Sequence, residues 1–279
     1  MGKALVFAGL NVQNPLPIVH FEEDDLDVIR IGECFAKITS TQSAALKTLI
    51  RSLKLAGTFD KLSYLILPAI AGTVDEAIRN VMVDSDSIPS TTDMSFTSHL
   101  LFVSNTTDVT SYIKPNTLGS TNLSMGVFVN CTDYPFPNGP LSEQILKVNT
   151  GYVFYRNSTQ LGYEDGRSSN RYKTFLQSEG KMSMSTDIDN SSTIMVYDED
   201  SVESVALDTS KSIKATDTAS VKLSGVPYDP EGTARSYRAF TGGYKLLWIS
   251  SLLTQTELVA THKAFDEFIT SVESPSQSE

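Results

Sequence analysis

Apolar residues recur at helical spacing in two stretches of this chain, and between those stretches they alternate or run in short blocks. In 39–54, Leu46, Leu49, Ile50 and Leu53 fall at i, +3, +4 and +7, one face of a helix. Thr39 and Gln42 are spaced as a capping box, Lys54 suits the C-terminal dipole, and Gly57 is placed to end the helix. In 254–272, Leu258, His262, Phe265, Ile269 and Val272 fall at i, +4, +7, +11 and +14, with Phe268 widening the face. Thr254 and Glu257 form a second capping box there, and Leu253 with Leu258 a hydrophobic staple. Just upstream, Leu246, Leu247, Trp248 and Ile249 stand in sequence after the turn residues Thr241, Gly242 and Gly243. So short an apolar run reads as a strand covered on both faces.

Between the helices the pattern is β. Candidate strands are 96–103, 110–113, 125–130, 152–156, 171–176, 193–197, 202–207, 221–223 and 244–249. Turn chemistry separates them at 137–140, 164–166, 179–180 and 227–232. Many short strands without helices between them predict a mainly β, antiparallel sandwich or jelly roll with one amphipathic helix near each end. Phe59, Leu62, Tyr64, Leu65 and Ile66 form a further apolar block that Pro68 terminates, and Gly72 opens a polar, turn-rich passage.

The first 37 residues read as a separate opening segment. Positions 5–8 and 26–31 have strand character, split by Pro15, Pro17 and the acidic run 22–25, which reads as a solvated turn. The segment is too short to form its own core, so it packs on the main domain or docks on a partner. The resulting division is a docking segment 1–37, a β-sandwich domain 38–273 and a disordered tail 274–279.

Charge and composition narrow the partners. At 279 residues the chain can bury about three quarters of its unfolded surface without covalent staples. A net charge of −11 repels phosphate backbones, so no nucleic acid and no membrane surface is expected as a partner. Cys34 and Cys131 lie far apart without metal-ligand spacing, so isolated thiols or at most one disulfide are expected. No secretory signal or transmembrane span is read, which predicts synthesis in a cytoplasm.

Candidate chemistry is sparse, and no catalytic residue, cofactor or metal is expected. The acidic group Asp198, Glu199, Asp200 and Glu203 reads as a solvated turn. Asp187 and Asp189 could begin a calcium loop, but Ser192 stands where the sharp turn needs Gly. Asp84 and Asp86 are no better placed, and phosphate loops and nucleophile elbows are missing. His20, His99 and His262 are scattered, so a Ser/His/Asp triad would need unseen proximity. His262 reads as a core-edge histidine with one ring nitrogen hydrogen-bonded, and Trp248 as core rather than a sugar-stacking platform. The five sequons, at Asn105, Asn122, Asn130, Asn157 and Asn190, are read as accidental.

The two ends carry a resemblance. Thr41, Gln42, Ala45, Leu46, Thr48, Leu49, Ile50, Leu53 and Lys54, then Phe59, Asp60, Lys61 and Leu62, then Leu67, Pro68, Ile70, Gly72 and Thr73, resemble the opening motif of a family of tailed-phage virion proteins. The closing Leu252, Leu253, Thr254, Gln255, Glu257, Leu258, Val259, His262, Ala264 and Phe265 are similar to that family's final strand–Leu-Thr–helix unit. The match covers roughly 38–80 and 190–272, departing where Phe59 stands for Trp and where 75–80 replaces a more basic stretch. The resemblance implies a concanavalin A-like (laminin G-like) jelly-roll sandwich. It also implies a non-enzymatic virion structural protein, a head or tail appendage such as a fibre or decoration component. Homo-oligomerisation, other virion proteins as partners and a place in the virion go with it.

The alternative expectation is a carbohydrate-binding module for host-surface glycans, with Tyr155, Tyr163 and Tyr172, which flank turns, as candidate contacts. Glycosidase chemistry, known in concanavalin A-like folds, needs two carboxylates about 5 Å apart. The spacing in 198–203 does not supply them.

Overall fold

The computed structural model describes residues 23–83, 94–97, 99–103, 107–109, 123–130, 143–148, 152–157, 160–165, 171–174, 179–187, 192–197, 201–206, 221–223, 238–240 and 242–273. Positions 1–22 and 274–279, and the candidate strand 110–113, lie outside them. Two sheets, antiparallel except for one short parallel pair in the second, and a layer of helices make up the described fold.

The helix layer begins with α1 (Glu23–Gly32), which corrects the strand expected at 26–31. Acidic residues in the first turn of a helix complement its dipole, so Glu23, Asp24 and Asp25, read as part of a turn, start a helix. Asp25 pairs with Lys47, and Asp27 with Lys54 at 2.6 Å, which fastens α1 to α2 (Ser40–Leu55). Ile31 and Phe35 are buried in the common core. The Glu76 carboxylate accepts from the Ala36 and Gly72 amides at 2.8 and 2.7 Å, so positions 23–36 are tied to the main body.

Helix α2 starts as expected. Thr39 caps it, with Gln42 N–H donating to Thr39 Oγ1 and Thr39 N–H to Gln42 Oε1. Gly57 beyond its end has φ +69°, the left-handed geometry that glycine takes without strain. Thr73 caps a further short helix, α3 (Val74–Ala77), within the passage read as turns.

The first sheet runs β12-β11-β10-β5-β15-β3-β2, with β1 also paired to β15. Its strands are β1 (Leu62–Ile66), β2 (Met94–Thr97), β3 (Leu100–Val103), β5 (Leu123–Asn130), β10 (Glu179–Asp187), β11 (Ser192–Tyr197), β12 (Ser201–Ala206) and β15 (Gly243–Ser251). The single strand expected at 96–103 is a hairpin, because His99 adopts φ 62° and turns the chain. Asn80 closes the outer edge of β1: its Oδ1 accepts from Leu65 N–H at 3.0 Å and its Nδ2 donates to Ser63 O at 3.0 Å.

β5 and β15 are buried along almost their whole length, as an apolar run with two covered faces requires. Register separates those faces. Ser183, Gly126 and Trp248 share one row, and Met182, Val127 and Leu247 share the next. Helix α4 (Gln255–Glu273) covers the tryptophan face, with Phe265 stacked on Trp248 at 5.7 Å. Helix α2 lies antiparallel beside it, since Thr58 just past α2 bonds Thr261 at 3.0 Å and Lys61 pairs with Glu257 at 2.6 Å.

On the methionine face, Tyr244 donates its hydroxyl proton to Ile145 O in the second sheet. That sheet runs β4-β13-β6-β7-β8-β9, with β14 beside β6. Its strands are β4 (Thr107–Val109), β6 (Glu143–Val148), β7 (Tyr152–Asn157), β8 (Gln160–Asp165), β9 (Arg171–Thr174), β13 (Val221–Leu223) and β14 (Arg238–Ala239). Ile145 and Leu223 are buried in the same core as the first sheet. Strands β4, β6, β8, β10 and β14 were not expected from the pattern, and β1 was expected only as an apolar block. Glu164–Asp165 and Glu179–Gly180, taken as turns, are strand ends instead.

The capping box of α4 is formed: Thr254 N–H donates to Glu257 Oε2 at 2.9 Å and Glu257 N–H to Thr254 Oγ1 at 3.3 Å. Burial raises the Glu257 carboxyl, but the Lys61 ammonium and the Thr254 hydrogen bonds outweigh it and hold the group below its ordinary value. A carboxyl lowered in the folded state adds stability above its unfolded value and loses it as pH falls through the folded one. Thr254→Ala is therefore expected to cost about 1 kcal/mol in urea unfolding at neutral pH. The difference from wild type should shrink in acid, once Glu257 is protonated in both proteins.

Candidate functional site

The best-connected polar cluster lies under α4. Ser183 Oγ and His262 Nδ1 are 2.8 Å apart and share a hydrogen bond. Ser124 and Ser185 bond each other at 2.8 Å, and Ser185 Oγ donates to Leu253 O at 2.5 Å. Leu253 N–H donates to Ser124 Oγ at 2.8 Å, so two serines clasp the turn into α4. A Ser–His pair invites a nucleophile reading, but both residues are wholly buried. The Phe128 ring lies 5.2 Å from the imidazole. Asp266, four residues further along the helix, is engaged by Lys181 at 2.5 Å. A nucleophile needs substrate access and an oriented base. This pair has no access and holds the helix. His262 lies deeper than the core edge expected for it, and Trp248 is core as expected.

The three candidate tyrosines come from three consecutive strands, β7, β8 and β9. Register divides them. Tyr155, Gly162 and Tyr172 form one cross-strand row, continued by Gln144 on β6. Phe154, Tyr163 and Arg171 form the adjacent row, which Leu146 continues to Leu223. Neighbouring rows belong to opposite faces. Leu223 is buried in the core, so Tyr163 belongs to the core-side face and Tyr155 and Tyr172 to the other. The rows Asn157–Gln160–Thr174 and Val153–Glu164 share the face of Tyr155 and Tyr172. Sequence reasoning missed Gly162 because it missed β8. Leu161 and Tyr163 alternating with Gln160 and Gly162 was the available signal.

The remaining candidates do not converge. Glu203 is exposed on β12, Asp187 ends β10 opposite Ser192, and His99 is exposed in the β2–β3 turn. Among the described residues no group of His, Cys, Asp or Glu could hold a metal ion. Asp84, Asp86, Asp189, Asp198, Glu199, Asp200, His20 and Cys131 lie outside those residues. Cys34 is half-buried, with Sγ 3.8 Å from Arg30 O. No described helix is long and apolar enough to cross a membrane.

No family model and no curated protein sequence matches the chain. Solved structures do. The Trypanosoma rangeli sialidase in complex with 2,3-difluoro-KDN is similar at a TM-score of 0.53 and 8% identity, over 81% of this chain and 40% of that one. The chain thus spans about two fifths of that sialidase. The CBM40 of the Ruminococcus gnavus IT-sialidase aligns at a TM-score of 0.41 and 12% identity, over 56% of this chain and 90% of that one. The same module bound to α2,3-sialyllactose aligns at 0.38 and 12%, over 50% and 82%. The likeness is one of fold: this chain is a mainly antiparallel β sandwich with an amphipathic helix near each end, as expected.

Proposed function

We propose that the chain is a non-enzymatic carbohydrate-binding β-sandwich whose ligand sits on the Tyr155–Gly162–Tyr172 row of the second sheet. The observation that carries this reading is the glycine between two tyrosines across three paired strands. Two strand spacings separate the tyrosine positions by about 10 Å, room for one pyranose ring above a residue without a side chain. Aromatic residues supply apolar platforms with a polar tip, and Gln144, Asn157, Gln160 and Thr174 on the same face supply hydrogen-bonding groups. The sealed Ser183–His262 pair supports the non-enzymatic part.

The test is a glycan array probed with the tetramerised chain, with α2,3- and α2,6-sialyllactose among neutral and acidic glycans. Tyr155→Ala and Tyr172→Ala are each expected to weaken binding about 3- to 10-fold, the worth of one aromatic contact. Tyr163→Ala, on the other face, is expected to lower stability and leave affinity unchanged. A tetramer that binds no glycan sinks the reading, and so does affinity lost only in Tyr163→Ala.

A second reading is that the sandwich is a virion structural component, an appendage used for assembly or display and present as a homo-oligomer with other virion proteins. Its support is that the two segments resembling phage virion proteins fold against each other, α2 antiparallel to α4, as one layer. The two readings are compatible in an appendage that holds host-surface glycans. Mass spectrometry of purified particles without a peptide of this chain would remove the second and leave the first.

A further inference from the structure

We propose that the outer face of the helix layer seats a second copy of this chain, in a two-fold dimer whose α2 and α4 lie antiparallel across those of the first. Small side chains open this face: with Ala45 on α2 and Ala264 on α4, a groove of about 440 Å³ runs between the two helices. Leu49 and Phe268 floor it and are buried, whereas Thr48 and Glu267 at its rim are exposed, so it opens to solvent. An apolar knob stands on the same face. Leu55 is 83% exposed, more than any other large apolar side chain among the described residues. It follows the groove residues Thr48 and Ser52 at +7 and +3, on one stripe of α2, about 10 Å along the helix from Thr48. Knob and groove offset along one face suit an isologous contact. A two-fold axis midway between them, beside Ser52 and perpendicular to α2, seats each Leu55 at the groove of the other copy. The small Ser52 at that crossing lets the two α2 helices approach closely.

Charge agrees with that axis. A net charge of −11 makes two copies repel each other over most of their surfaces. The helix face is different: Arg51, Lys263 and Glu267 are exposed on it, both signs together. Nearby, Lys47 and Lys54 engage Asp25 and Asp27, and Lys181 engages Asp266. Lys263 and Glu267 are one turn apart on α4, across the groove from Ser52, so antiparallel copies bring Lys263 of each toward Glu267 of the other. Leu26 and Ile29, exposed on α1, widen the apolar area beside Leu55, since Asp27 meets Lys54 at 2.6 Å. With α4 of 19 residues and helices about 10 Å apart, the three-helix face reaches ~800 Å², the share of one partner in an ordinary interface. The face lies across the first sheet from the second sheet, so the tyrosine row stays open in the dimer. The contact also stands whether or not the chain belongs to a particle.

Sedimentation velocity of the full chain from about 1 to about 200 µM is expected to show a reversible monomer–dimer equilibrium. Leu55→Ser and Thr48→Arg, both at exposed positions, should each weaken it about tenfold or more while leaving the unfolding midpoint unchanged. Val202→Ser, on the edge strand β12, should leave it as it is. A charge swap reads the register: Lys263→Glu alone and Glu267→Lys alone should each weaken the dimer, and an equimolar mixture of the two variants should restore it. A chain that is monomeric throughout overturns the proposal and leaves the groove to a partner of other chemistry or to this chain's own residues 1–22. A dimer that Leu55→Ser and Thr48→Arg both leave intact, or a mixture no tighter than either charge variant alone, overturns it as well.

Discussion

Phe265→Ala is expected to lower the unfolding free energy by about 3–5 kcal/mol, the range for deleting a buried phenylalanine ring. The ring is fully buried, stacks on Trp248 at 23° and meets Phe128 edge-on at 6.4 Å. Its neighbours belong to β5 and β15, which pair along their full length and cannot collapse into the space it leaves. The loss should appear in urea as a lower midpoint with an unchanged slope. A negligible shift would mean that α4 does not seal the sheet and serves a partner instead.

Gly126→Ala should have the second-largest effect, about 1–3 kcal/mol, as overpacking of a close-packed core costs. A Cβ at this position would stand 2.6 Å from Ser183 Oγ and 2.7 Å from Trp248 Cε2, and would meet Trp248 Nε1 as well. None of these can give way easily: the indole is held by Phe265 and the serine by His262. Trp248 is the only tryptophan, so a displaced indole would report itself as shifted emission. Trp248→Phe in the Gly126→Ala background should recover part of the loss, because the overlapping indole atoms are gone. An unshifted midpoint with native emission would contradict this packing.

These two effects meet at one site, and its parts were unequally legible in the sequence. Phe265 and Trp248 could be read as core, the first from helical spacing and the second from an uninterrupted apolar run. Gly126 could not. Its requirement comes from an indole 122 positions later in the chain, placed beside it by the β5–β15 register. Likewise Ser183 and Ser185 resemble solvent-facing strand positions, and only the tertiary contacts with His262 and Leu253 explain buried serines there. Strand β10 was missed for that reason: its alternating Ser and Met are both buried, so alternation did not mark an inside and an outside.

The candidate glycan site shows the same division. Three tyrosines near turns were visible by type, but their grouping depended on β8, whose central Gly162 weakens a strand signal. A shift of one residue in the β7–β8 pairing would exchange which tyrosines share a face.

What the sequence determined by itself was local. The ends of α2 and α4 follow from Thr and Gln or Glu three residues apart, whose hydrogen bonds close within one turn and need no distant partner. The tertiary structure decided everything that required two distant segments to meet. It decided how 26–31 is held as a helix, through Asp25 and Asp27 of α1 paired with Lys47 and Lys54 of α2, and that Tyr155 and Tyr172 share a face without Tyr163. Hydrogen-bonded caps are short-range and specific, whereas ion pairs between elements and strand register are settled only when the chain has closed on itself.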